Sequence, residues 1–454
     1  MRSASSSFLQ KLKATSQQML AISFIAAISL LTATPALAQV PKPAPAQSKP
    51  ILLLGGTLHV GNGTVISDAA VAFDKGRITY AGAQSGFSQD RGAYEVVDVK
   101  GQEIYPGLIL PNTTIGLTEV DAIRATVDEA EVGTLNPNVR SLIAYNTDSD
   151  IIPTVRTNGV LLAQVTPRGG MLSGQSSVVQ LDAWNWQDAV VRADEGLHLN
   201  WPAMVLRLNP AEDASVTEKR ELARQAQLRD LEQLLGEAAA YRAQPAGRRE
   251  NLRLSSLGGL FDGSKTLFVH VDYGKEIVES VRFAKRLGVK NVAVVGARDA
   301  WMMLDFLKQN DIAVVVSRIH ALPRRPEDDY DLPYKLPFLL QQAGVRFCLD
   351  YQGDQEVPGS RNLAFIAGTA AGHGLTKEQA LTAVTLTPAR ILGLDKDYGS
   401  LETGKSATLV VSSGDLLDMR TNNVTHAYID GRAFSRENKQ TYLRDKFRSR
   451  YDLK

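Results

Sequence analysis

The regular exchange of apolar runs and helical stretches along the middle of the chain constrains the fold most. Strand-like runs fall at Val160–Val165, Met204–Leu208, Leu267–Val271, Val292–Val295, Ile312–Val316 and Arg346–Leu349. Lys275–Leu287, Ala300–Gln309 and Leu336–Ala343 carry helical spacing between the later runs. Strands joined through helices run parallel, and the helices then cover the sheet. The number and spacing of the runs suit an α/β fold of the (β/α)8 TIM-like barrel type. Val292–Val295 and Ile312–Val316 bracket Ala300–Gln309 as a compact βαβ unit. Gly288 and Gly344 follow their helices as C-caps, and Thr376 with Gln379 forms a capping box for a helix that Pro388 ends or bends.

The two ends of the chain differ from this middle. Ile51–Leu54, Ala69–Phe73 and Ile78–Tyr80 are short β-branched or apolar runs, punctuated by Gly55-Gly56, Gly61-Asn62-Gly63 and Lys75-Gly76. The same texture returns in Ala407–Ser412 and in Val424–Ile429, which Asp430-Gly431 closes. One small composite β-domain, built from residues 51–105 and 396–435, accounts for both, with the barrel over 106–395. Thr217–Tyr241 places Leu222, Leu228, Leu231 and Leu235 among charges and reads as an amphipathic helix. Residues 436–454 form a charged tail carrying Tyr442, Leu443, Phe447 and Tyr451, for docking on the protein's own surface.

The N-terminus reads as an export signal over residues 1–38. Arg2, Lys11 and Lys13 precede an apolar run from Met19 to Leu31, and Ala36-Leu37-Ala38 supplies a small-x-small cleavage site. Residues 39–50 form a Pro- and Ala-rich linker. These features place the mature protein in the periplasm or outside the cell, with no membrane attachment after cleavage. Formal charge is +1 for the full chain and about −2 without the leader, which gives no electrostatic case for nucleic acid. Cys348 is the only cysteine and sits in an apolar run, so it reads as a small buried hydrophobe.

Tyr105-Pro106-Gly107-Leu108-Ile109 resembles the point where amidohydrolase-superfamily proteins pass from a small β-domain into the first barrel strand. The imidazolonepropionase-like and prolidase-like metal-dependent hydrolases of that superfamily are the nearest in pattern. Thr387-Pro388-Ala389-Arg390-Ile391-Leu392-Gly393-Leu394, followed by Gly399-Ser400-Leu401-Glu402, Gly404-Lys405 and Ala407, looks like the family's closing signature, and Asp430-Gly431-Arg432 like its final turn. The resemblance implies metal-assisted hydrolysis, in which a divalent ion held by imidazole and carboxylate activates water. Its ligands would come from the C-terminal ends of barrel strands.

This chain departs from that pattern. The Asp and the His-x-His pair of the first strand fall on Leu110, Asn112 and Thr114. Asn and Thr are neutral, weak ligands, and either line a pocket as substrate-binding groups or satisfy a strand end. His270 falls at the fifth-strand position and is the candidate metal ligand, with a structural hydrogen bond as the alternative. The sixth-strand position near Val295-Gly296 carries no His. Arg207 lies near the bridging Lys position and either clamps a substrate carboxylate or forms a salt bridge. His320 ends a strand and reads as a substrate contact or a loop hydrogen bond. Asp350 and Asp354 compete for the catalytic carboxylate of the last strand, with Asp354 preferred for its Gly-Asp ending. His59, His198, His373 and His426 read as structural or surface residues, and Arg168–Gly174 as a flexible loop over the barrel mouth.

Metal-free chemistry led by Asp350 or Asp354 is the least favoured function, and two others follow from the resemblance and its gaps. One is a hydrolase of C–N bonds with at most one divalent ion, Zn2+ or Mn2+, or none. The other is a non-catalytic relative that binds a small molecule, a second copy, or another amidohydrolase as partner.

Overall fold

The computed structural model describes residues 42–204, 214–245, 249–353 and 355–451. The leader, most of the Met204–Leu208 run, Arg207 and Asp354 lie outside them. Strands β1 (Ile51–His59), β2 (Val65–Asp74), β3 (Arg77–Ala83), β4 (Glu95–Asp98) and β5 (Glu103–Pro106) come first. Next are β6 (Leu108–Thr113), β7 (Val160–Val165), β8 (Leu172–Gln180), β9 (Val190–Asn200), β10 (Thr266–Val271), β11 (Asn291–Gly296), β12 (Ala313–Val316) and β13 (Phe347–Leu349). β14 (Leu409–Ser412), β15 (Val424–Ile429) and β16 (Arg432–Ala433) end the series.

The first and last groups form one sheet in the order β16-β15-β14-β5-β1-β2-β3, with β4 also on β1. The chain ends meet where β14 pairs antiparallel with β5, Leu409 opposite Pro106 and Val411 opposite Ile104. Alternation along the strands divides their apolar side chains between two faces. Leu53, Leu58, Val71, Phe73, Ile104, Leu409 and Val411 pack on one, and Leu52, Ala70, Ala72 and Phe87 on the other.

The middle group forms the barrel, in the order β13-β12-β11-β10-β9-β8-β7-β6. It is nearly closed. Across the seam, Ile109 N–H donates to the Val384 carbonyl and Leu349 N–H to that of Ala383, so the segment between the strand ends fills the gap. Ile109, Leu162, Val178, Phe268, Val295, Val315 and Cys348 pack together as a core built from alternate barrel-strand positions. Each large apolar side chain buried this way contributes about 1.5–3 kcal/mol. Cys348 is buried and free.

Strand–helix alternation predicts parallel strands throughout, and β8 is the exception: it pairs antiparallel with both β7 and β9. Ser173–Ser177 lacks the apolar character that marks the other strands, and its extended form is fixed by two flanking ladders. The Arg168–Gly174 segment, read from sequence as a loop over the mouth, thus leads directly into a barrel strand. The fourth strand in spatial order is β9. The amphipathic segment is a helix, Ala214–Arg242, which buries Leu231, Leu234, Leu235 and Ala238 while Leu222 stays exposed. The Thr376/Gln379 capping box forms, and Gly344 takes the left-handed C-cap conformation. Among the described residues no helix is long and apolar enough to cross a membrane.

Candidate functional site

At the end of β6 the chain leaves regular pairing. The register with β7 shifts between Leu110 and Thr113, and Asn112 adopts a left-handed backbone, φ +50°. Asparagine tolerates this conformation better than most residues. The Asn112 N–H therefore turns from the ladder and donates to Gln164 Oε1 at 2.9 Å. Its side chain faces the last strand. Nδ2 donates to Asp350 Oδ2 at 2.8 Å, and to Gln352 Oε1 at 3.3 Å.

Arg168, just beyond β7, completes the arrangement. Nη1 donates to Asn112 Oδ1 at 2.7 Å and Nη2 to the Asn112 carbonyl at 2.8 Å. Nη2 also reaches the Glu356 oxygens at 3.0 and 3.2 Å. Glu356 Oε1 accepts from Thr114 as well, from the backbone N–H at 2.9 Å and from the hydroxyl at 3.3 Å. Asp350 is fully buried, and its Oδ1 accepts the Gln352 N–H at 2.6 Å. Burial pushes its carboxyl up to about 7, against the opposing pull of the Asn112 and Gln352 hydrogen bonds.

A second polar group lies on adjacent strands. His198 in β9 and His270 in β10 face each other, Nδ1 to Nε2 at 2.9 Å. His198 is fully buried and stacks on Phe268, ring centroids 4.9 Å apart. Its Nε2 is buried without a hydrogen-bond partner. His270 keeps part of its surface accessible, but protein surrounds its ring closely. Burial, then the charge of Arg168, pushes it down to about 3. Burial holds His198 well below the ordinary histidine range too, helped by His270 and Arg168. Near neutral pH both imidazoles are uncharged, one donating its N–H to the other.

Deeper in the barrel, Gln164 Nε2 donates to Glu195 Oε1 at 2.7 Å, and Ser176 Oγ donates to the same oxygen at 2.7 Å. Burial raises the Glu195 carboxyl above its usual range. A polar chain thus runs from Asp350 through Asn112 and Gln164 to Glu195.

The structure brings Asn112, Thr114 and Asp350 into one hydrogen-bonded network. His270 is paired with His198. His320 stands apart, with Nε2 bonded to Thr369 Oγ1 at 2.8 Å and its ring beside Tyr334. Asp350 directly follows β13 and contacts Asn112, whereas Asp354, the other last-strand candidate, lies outside the described residues, as does Arg207. Sequence reasoning missed Arg168, Glu356, Gln164 and Glu195, and placed His198 among structural residues. Arg168 and His198 did carry a signal, since each lies at or near the C-terminal end of a barrel strand. Glu356, in the short helix Glu356–Gly359, carried none.

Among the described residues no group of three or more His, Cys, Asp or Glu is arranged to hold a metal ion. One cavity, of about 30 Å3, lies beside Gly296, Val316, Arg318 and Leu336 at the ends of β11 and β12. That is room for a water or two.

The amidohydrolase family model matches residues 339–434, which include the closing signature and the final turn. The imidazolonepropionase of Legionella pneumophila (strain Corby) is 22% identical over 398 residues, 80% of this chain and 92% of that protein. A 5-methylthioadenosine/S-adenosylhomocysteine deaminase of Moorella thermoacetica is 28% identical over 153 residues, 31% of this chain and 33% of that one. Among solved structures, an amidohydrolase from Thermotoga maritima MSB8 superposes with a TM-score of 0.74 at 23% identity, over 85% of this chain and all of that one. A prolidase bound to N-methylphosphonate-L-proline superposes with a TM-score of 0.52 at 14% identity, over 86% of this chain and all of that one. Barrel, composite sheet, closing signature and relatives agree in their resemblance to the amidohydrolase superfamily. Its broad functional class is hydrolase-like.

Proposed function

We propose that this chain is an exported, periplasmic or secreted amidohydrolase-superfamily protein whose barrel mouth works without a divalent ion, binding a small ligand or a partner rather than hydrolysing C–N bonds by metal catalysis. The observation that carries this reading is the donor set. Asn112 and Thr114 are neutral and committed to Asp350, Arg168 and Glu356. The two histidines bond each other, and no third His, Cys, Asp or Glu among the described residues joins them as a metal-holding group. A fixed guanidinium beside these groups disfavours a dication by direct repulsion. These residues do not fit Zn2+ or Mn2+, which require deprotonated donors converging on one point.

Metal analysis of protein purified without chelator, together with an amide and lactam hydrolysis panel, tests this. The expected result is substoichiometric metal and no metal-dependent turnover. Stoichiometric Zn2+ or Mn2+ that is lost in His270→Ala overturns it.

A second reading rests on Asp350. A buried carboxyl near 7 can both take and give a proton at neutral pH, and Asn112 holds it in place. Metal-free hydrolysis of a cyclic amide or dipeptide by this group would persist in chelator and vanish in Asp350→Asn. Activity that chelator abolishes would exclude it.

A further inference from the structure

Every contact of Arg168 at the mouth is to oxygen. The guanidinium faces an amide oxygen and a peptide carbonyl of Asn112 and the carboxylate of Glu356. Its own backbone is pinned, since Arg168 N–H donates to the Glu129 carbonyl at 2.6 Å and Ala130 bridges to Arg168. Glu356 is held by the Thr114 N–H as well, which donates to the same Oε1 that the guanidinium reaches. The side chains of Arg168 and Glu356 are only 18% and 14% exposed. The oxygens are therefore positioned by groups besides the guanidinium: Asn112 by Asp350 and Gln164, Glu356 by Thr114. A planar fork with several N–H donors can satisfy all of them at once, which a compact ammonium cannot.

We propose that Arg168 is a built-in cation: a tethered guanidinium that fills an oxygen-lined cradle made by Asn112 and Glu356, a cradle selective for the guanidinium group. This rests on the reading of a mouth that works without a divalent ion. It extends that reading by naming what supplies the positive charge. Asn112 is the link to the last strand, because the amide that accepts from Arg168 donates to Asp350 through its Nδ2.

The cradle should outlast its tether. Arg168→Gly removes the side chain and leaves a guanidinium-shaped space, which millimolar methylguanidinium should refill. The expected result is a rise of several degrees in the thermal midpoint of Arg168→Gly with methylguanidinium, because a ligand bound only to the folded state stabilises it. The same addition should leave the wild type and Arg168→Gly/Glu356→Gln unchanged, and Mn2+ should not replace it. A folded Arg168→Gly that ignores methylguanidinium, or answers Mn2+ equally well, overturns the proposal. If Arg168→Gly does not fold, Arg168→Lys decides. Charge without the fork should lower the midpoint as far as Arg168→Met does, and a Lys variant as stable as wild type overturns the selectivity. Stoichiometric metal in the wild type overturns the underlying reading. Metal-free wild type with an unresponsive Arg168→Gly overturns only the built-in cation.

Discussion

His59 at the seam between sheet and barrel and His270 at the barrel mouth are both enclosed by protein, yet they are driven to opposite charge states. His59 presents Nδ1 to Glu378 Oε1 at 2.6 Å and Nε2 to Glu103 Oε2 at 3.0 Å, and stacks on Tyr105 with centroids 4.4 Å apart. Burial is the largest single influence on it and favours the neutral ring. The two carboxylates together outweigh burial, and the pKa is raised. His270 is enclosed more deeply and has no carboxylate to oppose burial, and Arg168 adds to the downward shift. Burial by itself does not set the charge of an enclosed histidine. The sign of what faces its ring nitrogens does.

The largest expected effect comes from breaking the charged side of this comparison. His59→Leu leaves Glu103 and Glu378 facing each other without a cation, and should cost about 2 kcal/mol at pH 6, less than a fully buried pair because Glu103 is partly exposed. Urea denaturation reads this directly, and a loss below about 0.5 kcal/mol would show the two histidine environments to be energetically alike. The cost should also shrink with rising pH. Folding raises the His59 pKa above 6.5, so its contribution is complete below that value and is lost as pH climbs through the folded one.

The mouth should behave differently, because two of its groups oppose each other. His270 moves from 6.5 to about 3, so its contribution is lost as pH falls through that window. Asp350 moves from 3.8 to about 7, so the folded state holds an extra proton between those values and stability is lost as pH rises through them. These two slopes oppose each other between pH 4 and 6.5, with His198 adding to the histidine side and Glu195 to the carboxyl side. Asp350→Asn should unmask the histidine slope, with stability dropping by about 1 kcal/mol per pH unit on acidification across this range. A midpoint-against-pH curve parallel to wild type would remove Asp350 from the balance.

The smallest effect is expected for His270→Gln, about 1 kcal/mol or less at pH 7, since a neutral amide can still bond His198. Its signature is the pH dependence: the acid-side loss should weaken and the Asp350 slope should emerge. An unaltered profile would mean that His270 titrates alike in the folded and unfolded chain.

Much of the fold was legible because it is encoded locally. The Thr376/Gln379 box, the Gly344 cap and the apolar runs of β7, β10, β11, β12 and β13 each declare themselves within a few residues. β8 was not legible, since Ser173–Ser177 has no strand pattern and takes its form from two neighbours. The site divides the same way. Asn112 and Thr114 stood out as replacements within a recognisable motif. The partners of Asn112 lie 56 residues away at Arg168 and 238 away at Asp350, and no local spacing connects them.

The sequence by itself determined the fold class: a composite β-domain joined to a (β/α)-type barrel. Periodicity and turn chemistry act over a few residues, so they survive in the linear text. Closing the barrel decided the rest. It set Arg168 against Asn112 and Glu356, paired His198 with His270, and buried Asp350 beside an amide. Charge states depend on what faces a group across the fold, and only the tertiary structure supplies that neighbour.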